Sequence, residues 1–104
     1  MNKYTELSDF EINKAVFHKA KIKYKYFRFL PNGVITYNIK GKYQVFDPCN
    51  NPADAMPIII ENGISMVRVN NTWSARQFNN HCIEINGDNY YRIAMEVYLL
   101  MNGK

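Results

Sequence analysis

Residues 47–62 read Asp-Pro-Cys-Asn-Asn-Pro-Ala-Asp-Ala-Met-Pro-Ile-Ile-Ile-Glu-Asn, and here the groups able to do chemistry are densest. Three amides (Asn50, Asn51, Asn62), three carboxylates (Asp47, Asp54, Glu61) and the Cys49 thiol surround a single apolar triplet. A segment that only fills a core has no use for so many directional polar groups. An asparagine side chain can offer both a donor and an acceptor to a base or a ribose. On a helix, Asp54 and Glu61 lie on a shared face, as paired-carboxylate chemistry would require. An acid near a helix start also offsets the helix dipole, so Asp54 has a purely structural reading as well.

The other reactive types form no convincing catalytic set. His81 and Cys82 are neighbours, but adjacent strand residues point to opposite faces. A Cys-His hydrolase built from Cys49 or Cys82 with His18 or His81 would further need a third group to orient the base. A metal site would need more carboxylates or a well-placed histidine. No glycine-rich phosphate loop is present. The expectation is a non-enzyme with no metal and no cofactor.

Arg92 falls in the first turn of a C-terminal helix, where a cation opposes the dipole. Either Asp88 or Glu96 pairs with it, or the arginine and the free N–H groups of the helix start hold an anion such as a phosphate. Trp73 is the single tryptophan of the chain. It serves the core or a stacking surface, and Tyr37, Tyr43, Tyr90 and Tyr91 extend the second option. The candidate ligand-binding set is Asn50, Asn51, Asp54, Trp73, Arg76, Arg92 and Tyr43. In it Arg92 clamps phosphate, Asn50 and Asn51 read polar edges, and Trp73 or a tyrosine stacks.

These residues need elements to hold them. Ser8-Asp9-Phe10-Glu11 matches a capping box, with Leu7 and Ile12 as a hydrophobic staple, and opens a helix to about Lys19. Its apolar stripe is Ile12, Ala15 and Val16. Residues 21–29 alternate as a strand, with Lys21, Lys23 and Lys25 against Ile22, Tyr24 and Tyr26. The alternation slips at Tyr26-Phe27, which predicts a bulge or bend. Pro31-Asn32-Gly33 turns the chain into a second strand, 34–39, and Gly41 precedes a third, 43–46. Asn51-Pro52 starts a helix that Pro57 would interrupt and Asn62-Gly63 would end. Strands at 64–69 and 72–76 flank an Asn70-Asn71 turn, and 82–85 adds another. Asn86-Gly87 is a tight turn, and Asp88 or Asn89 caps a last helix to about Met101. Ile93, Ala94, Val97, Tyr98 and Met101 recur at helical spacing and should face the core. Strands followed by segregated helices imply an α+β fold: one antiparallel sheet of four to six strands, with two or three helices packed on one face.

At 104 residues the chain is one domain spanning 1–104, able to bury one core. Its two cysteines are too few for a disulfide framework and fit reduced thiols. No apolar run reaches the ~18 residues of a membrane span, and the N-terminal residues lack the apolar region of a signal peptide. The net charge of +4 is uneven. Eight basic residues and no acid lie between positions 14 and 46: Lys14, Lys19, Lys21, Lys23, Lys25, Arg28, Lys40 and Lys42. That block either attracts an anion or keeps a solvated strand face from edge pairing. On residues 21–29 alternation separates the lysines from the Ile-Tyr-Tyr set, whereas a single-strand nucleic-acid platform needs both on one face.

Three segments together resemble the NinX-like family of small phage proteins. They are Leu7-Ser8-Asp9-Phe10-Glu11-Ile12-Asn13, then Asn50-Asn51-Pro52-Ala53-Asp54-Ala55-Met56-Pro57-Ile58-Ile59 with Glu61-Asn62, then Arg92-Ile93-Ala94-Met95. The middle one is the specific one. Met56 stands where family members commonly carry an aromatic, and Asn89-Tyr90-Tyr91 replaces the usual Asn-Pro opening of the last helix. The resemblance implies a temperate-phage accessory protein acting in the cytoplasm of an infected bacterium, and it implies no reaction. With the residues above, the expected function is non-catalytic binding of an anionic nucleotide-like small molecule, in the form of sequestering a host-defence signalling nucleotide. The alternatives are a nucleic-acid-binding accessory factor and a protein–protein adaptor inhibiting a host factor. No membrane partner is expected, and a homo-oligomer with its pocket between subunits fits the size.

Overall fold

A computed structural model describes residues 4–20, 27–79 and 82–102. Residues 21–26 of the strand expected over 21–29, and with them the slip at Tyr26, lie outside the described residues, as does His81. Helix α1, Asp9–Ala20, opens on the capping box: Ser8 N–H donates to Glu11 Oε1 at 3.0 Å, and Glu11 N–H to Ser8 Oγ at 3.1 Å. It buries Ile12, Asn13, Val16 and Phe17.

Strands β1 (Phe27–Phe29), β2 (Ile35–Ile39) and β3 (Lys42–Phe46) form an antiparallel meander. Phe27 and Phe29 face α1, with their rings 4.7 and 5.5 Å from that of Phe17. At the β1–β2 turn Gly33 has φ +89°, and a Cβ there would sit 2.9 Å from the Cβ of Phe10. Glycine therefore both makes the turn and lets α1 approach it. Lys40 and Gly41 make the second turn, both with positive φ, as a two-residue hairpin of this hand requires.

Helix α2, Pro52–Glu61, is continuous through Pro57. The expected interruption does not occur. Pro57 and Ala53 are exposed, so the carbonyl that loses its helical N–H partner is on the solvated side. Asn51 Oδ1 caps the first turn by accepting from Ala53 N–H at 3.0 Å. At the far end Gly63 N–H donates to Ile60 O and Ile64 N–H to Ile59 O, with Gly63 at φ +63°. That pattern is a Schellman motif.

Strands β4 (Ser65–Val69), β5 (Thr72–Gln77) and β6 (Ile83–Gly87) form a second meander, turned by Asn70 and Asn71 at φ 47° and 68°. The six described strands thus divide into two three-stranded antiparallel sheets rather than one. Helix α3, Tyr90–Asn102, is the hub, packed against β5, β6, α1 and α2. Its residues from Ile93 through Leu99 are buried all round, more than the single stripe that helical spacing indicates. Each large apolar side chain so buried contributes about 1.5–3 kcal/mol.

Candidate ligand-binding site

The asparagine-rich loop sits where the starts of α1 and α3 meet. Arg92 Nη1 donates to Asp9 Oδ1 at 2.6 Å, Nε to Glu96 Oε2 at 2.7 Å, and Nη2 to the carbonyls of Leu7 and Tyr4 at 2.8 and 2.9 Å. All three guanidinium nitrogens are engaged. The dipole conflict of a cation at a helix start is resolved by Glu96, one of the two partners expected, and by Asp9 from α1. Asp88 instead accepts from the Thr72 hydroxyl. Asn89 caps α3, its Oδ1 taking the N–H groups of Tyr91 and Arg92 at 3.1 Å each.

Asn50 extends this network. Its Nδ2 donates to Asp9 Oδ2 at 3.1 Å and to Asp47, while its Oδ1 accepts from Asn89 Nδ2 at 3.3 Å. Asn13, nearly fully buried, donates to Asp47 Oδ1 at 2.8 Å and accepts from Cys49 N–H at 3.1 Å. Burial by itself raises the Asp9 carboxyl, but hydrogen bonds from Arg92 and Asn50 outweigh it and hold the group below its ordinary value. Burial pushes the Cys49 thiol far up, and the Asp9 charge adds to this, so the sulfur stays protonated. Among the described residues no group of His, Cys, Asp and Glu gathers to hold a metal.

Asp54 touches that network through the backbone of Asp47. Its Oδ2 accepts from Asp47 N–H at 2.9 Å and its Oδ1 from the Tyr37 hydroxyl at 3.4 Å. Burial raises its carboxyl, only partly offset by those donors. It faces a cleft of about 230 Å³ with Tyr37, Phe46, Pro57, Ile58 and Glu61.

Trp73 is half-buried, edge-on to Tyr90 at 4.9 Å, with the Arg68 guanidinium 5.1 Å over its ring. Tyr43 is on the first sheet, 4.7 Å under Arg28. Arg76 is on the outer face of the second sheet, directly across from Ser65. Its Nε donates to Ser74 Oγ at 3.0 Å, and its Nη2 is 3.6 Å from Glu84. Its Nη1 has no hydrogen-bond partner among the described residues. Arg76 lines a cleft of about 280 Å³ with Gly63, Ser65, Val67, Phe78 and Asn79.

The seven candidates therefore do not converge. Asn50 and Arg92 share one network, and Asn51 caps α2 one turn before Asp54. Trp73, Tyr43 and Arg76 each stand elsewhere. Sequence reasoning missed Asp9, Asn13 and Asn89 as members of the polar network, and Ser65, Phe78 and Asn79 as neighbours of Arg76. The Ser65–Arg76 pairing had a signal: counting outward from a two-residue turn at 70–71 puts those positions opposite each other.

These features define a small α+β domain knit at the starts of two helices by asparagines, with an arginine-bearing cleft on one sheet. A family model described as Bacteriophage P22, NinX matches residues 3–102, and the chain belongs to that family. No curated protein and no solved structure matches the chain. Among the described residues no helix is long and apolar enough to cross a membrane.

Proposed function

We propose that this phage-family protein is a non-catalytic binder of a phosphate-bearing, nucleotide-like small molecule, held in the Arg76 cleft of the second sheet. The observation that carries the reading is Nη1 of Arg76, without a hydrogen-bond partner among the described residues, on a residue lining a cleft that also holds a hydroxyl, an amide and an exposed aromatic. Arg76 supplies a charge-assisted donor for phosphate. Ser65 and Asn79 offer hydrogen bonds, and Phe78, 57% exposed, offers a stacking face. Glu84 holds Arg76 loosely, and an arriving phosphate would displace it. Arg92 and Asn50, whose polar groups are already engaged, serve this reading as scaffold. Family membership supports a phage setting; the role we propose, in the cytoplasm of an infected bacterium, is sequestration of a host-defence signalling nucleotide.

Thermal unfolding with cyclic oligonucleotides, ADP-ribose derivatives and mononucleotides tests it. Ligand at 100 times its Kd stabilises by about 2.7 kcal/mol, which raises Tm by on the order of 10 °C in a domain of this size. Arg76→Ala and Phe78→Ala should remove the shift. A flat response to the whole panel would defeat the reading. The second reading, an adaptor that inhibits a host factor, draws on exposed Phe10, Phe29 and Leu30, which line one apolar cleft between α1 and the first hairpin.

A further inference from the structure

We infer that the outer face of the first sheet binds single-stranded nucleic acid. This site is separate from the Arg76 cleft and does not depend on it. The register of β1, β2 and β3 aligns Arg28, Thr36 and Val45 in one row across the sheet, with Asn38 and Tyr43 in the next pair. These positions alternate with Phe27, Phe29, Ile35, Tyr37 and Phe46, which form the opposite, inward face. Tyr43 is 49% and Val45 50% exposed, although strand residues of this size are usually covered. The Arg28 guanidinium lies 4.7 Å from the Tyr43 ring centroid. Together the two planes offer a base surfaces for stacking and cation–π contact.

Charge chooses the occupant. None of the five outward residues is acidic, and no acid occurs anywhere between positions 14 and 46, against eight basic residues. Exposed Lys40 lies at the β2–β3 turn near Tyr43. Phosphates of a strand stacked on Tyr43 would run past it. A second copy of this chain would bring like charge to like charge. A duplex would hide the base faces that the Tyr43–Arg28 pair can use. Across the strands register, and not sequence adjacency, brings an aromatic and a cation to one face.

The test is fluorescence anisotropy with a labelled 12-nucleotide oligo-dT and a duplex of the same length, between 50 and 200 mM salt. The single strand should bind in preference, with log affinity falling linearly against log salt by about 0.7 per phosphate neutralised. Tyr43→Ala should weaken binding by about tenfold or more, and Tyr43→Phe, which keeps the ring, should restore it. Arg28→Ala should weaken binding and flatten the salt slope. Circular dichroism of each variant establishes that it is folded. Absence of binding at 50 mM salt, equal affinity for the duplex, indifference to Tyr43→Ala, or preference for an acidic peptide would each overturn the inference.

Discussion

Arg92 and Asp9, 83 residues apart, are joined by a 2.6 Å hydrogen-bonded ion pair between the first turns of two helices. Asp9 is where a helix start favours an anion, and Arg92 is where a helix start disfavours a cation. Pairing them lets one residue's favourable position offset the other's unfavourable one. Glu96, with only 7% of its side chain exposed, takes the remaining side of the guanidinium.

Arg92→Ala is expected to destabilise the fold by about 3–5 kcal/mol, because it strands a nearly buried carboxylate and removes the donors of two backbone carbonyls. Arg92→Lys should recover little, since one ammonium cannot serve three directions at once. Urea unfolding of both variants measures this, and a native-like midpoint for Arg92→Lys would contradict it.

Asp9 and Asp54 should pull stability in opposite directions with pH. The folded carboxyl of Asp9 is depressed, so its contribution is present above the unfolded value of 3.8 and is lost as pH falls through the lower folded value. The folded carboxyl of Asp54 is raised, so its contribution is full below 3.8 and is lost as pH rises through the higher folded value. Tm followed from neutral to acid pH should fall less steeply at the acid end in Asp9→Asn than in the native protein. Asp54→Asn should remove the opposite trend, from 3.8 upward.

Asn51 acts as a helix cap, so Asn51→Ala should cost about 1 kcal/mol and Asn51→Ser much less. Chemical denaturation distinguishes them. Equal losses would mean that the amide does something a hydroxyl at the cap cannot.

The two thiols should differ sharply toward a thiol reagent. Cys82 is exposed, and Cys49 is fully buried with its thiol pushed far up. One equivalent should react promptly with the native protein and the second only on unfolding. Prompt reaction of both would show that the asparagine network opens readily.

Local chemistry made much of this fold readable. The Ser8–Glu11 box, the Asn51-Pro52 start, the Asn62-Gly63 stop and the Asn70-Asn71 turn all depend on residues within a few positions of one another, and each stands as its chemistry dictates. What escaped was non-local. No pattern within a strand says that β3 and β4 belong to different sheets, because the connection through α2 decides it. The stripe of α3 was visible as Ile93, Ala94 and Val97. The burial of Glu96 among them follows from Arg92, and Arg92's own principal partner stands at the other end of the chain. Pro57 broke no helix because its side of α2 faces water, which local propensity cannot indicate.

The tie between Asp9 and Arg92 also sets an order of events during synthesis. Helix α1 emerges from the ribosome well before Arg92, the group its first turn must meet. Lys19 likewise donates to the carbonyl of Asn102 across 83 positions. The second sheet, whose strands pair through short turns, can assemble while α1 is still waiting. Docking of α1 on α3 is therefore a late step, and until α3 is released the nascent chain presents Ile12 and Val16 to whatever chaperone stands at the tunnel exit.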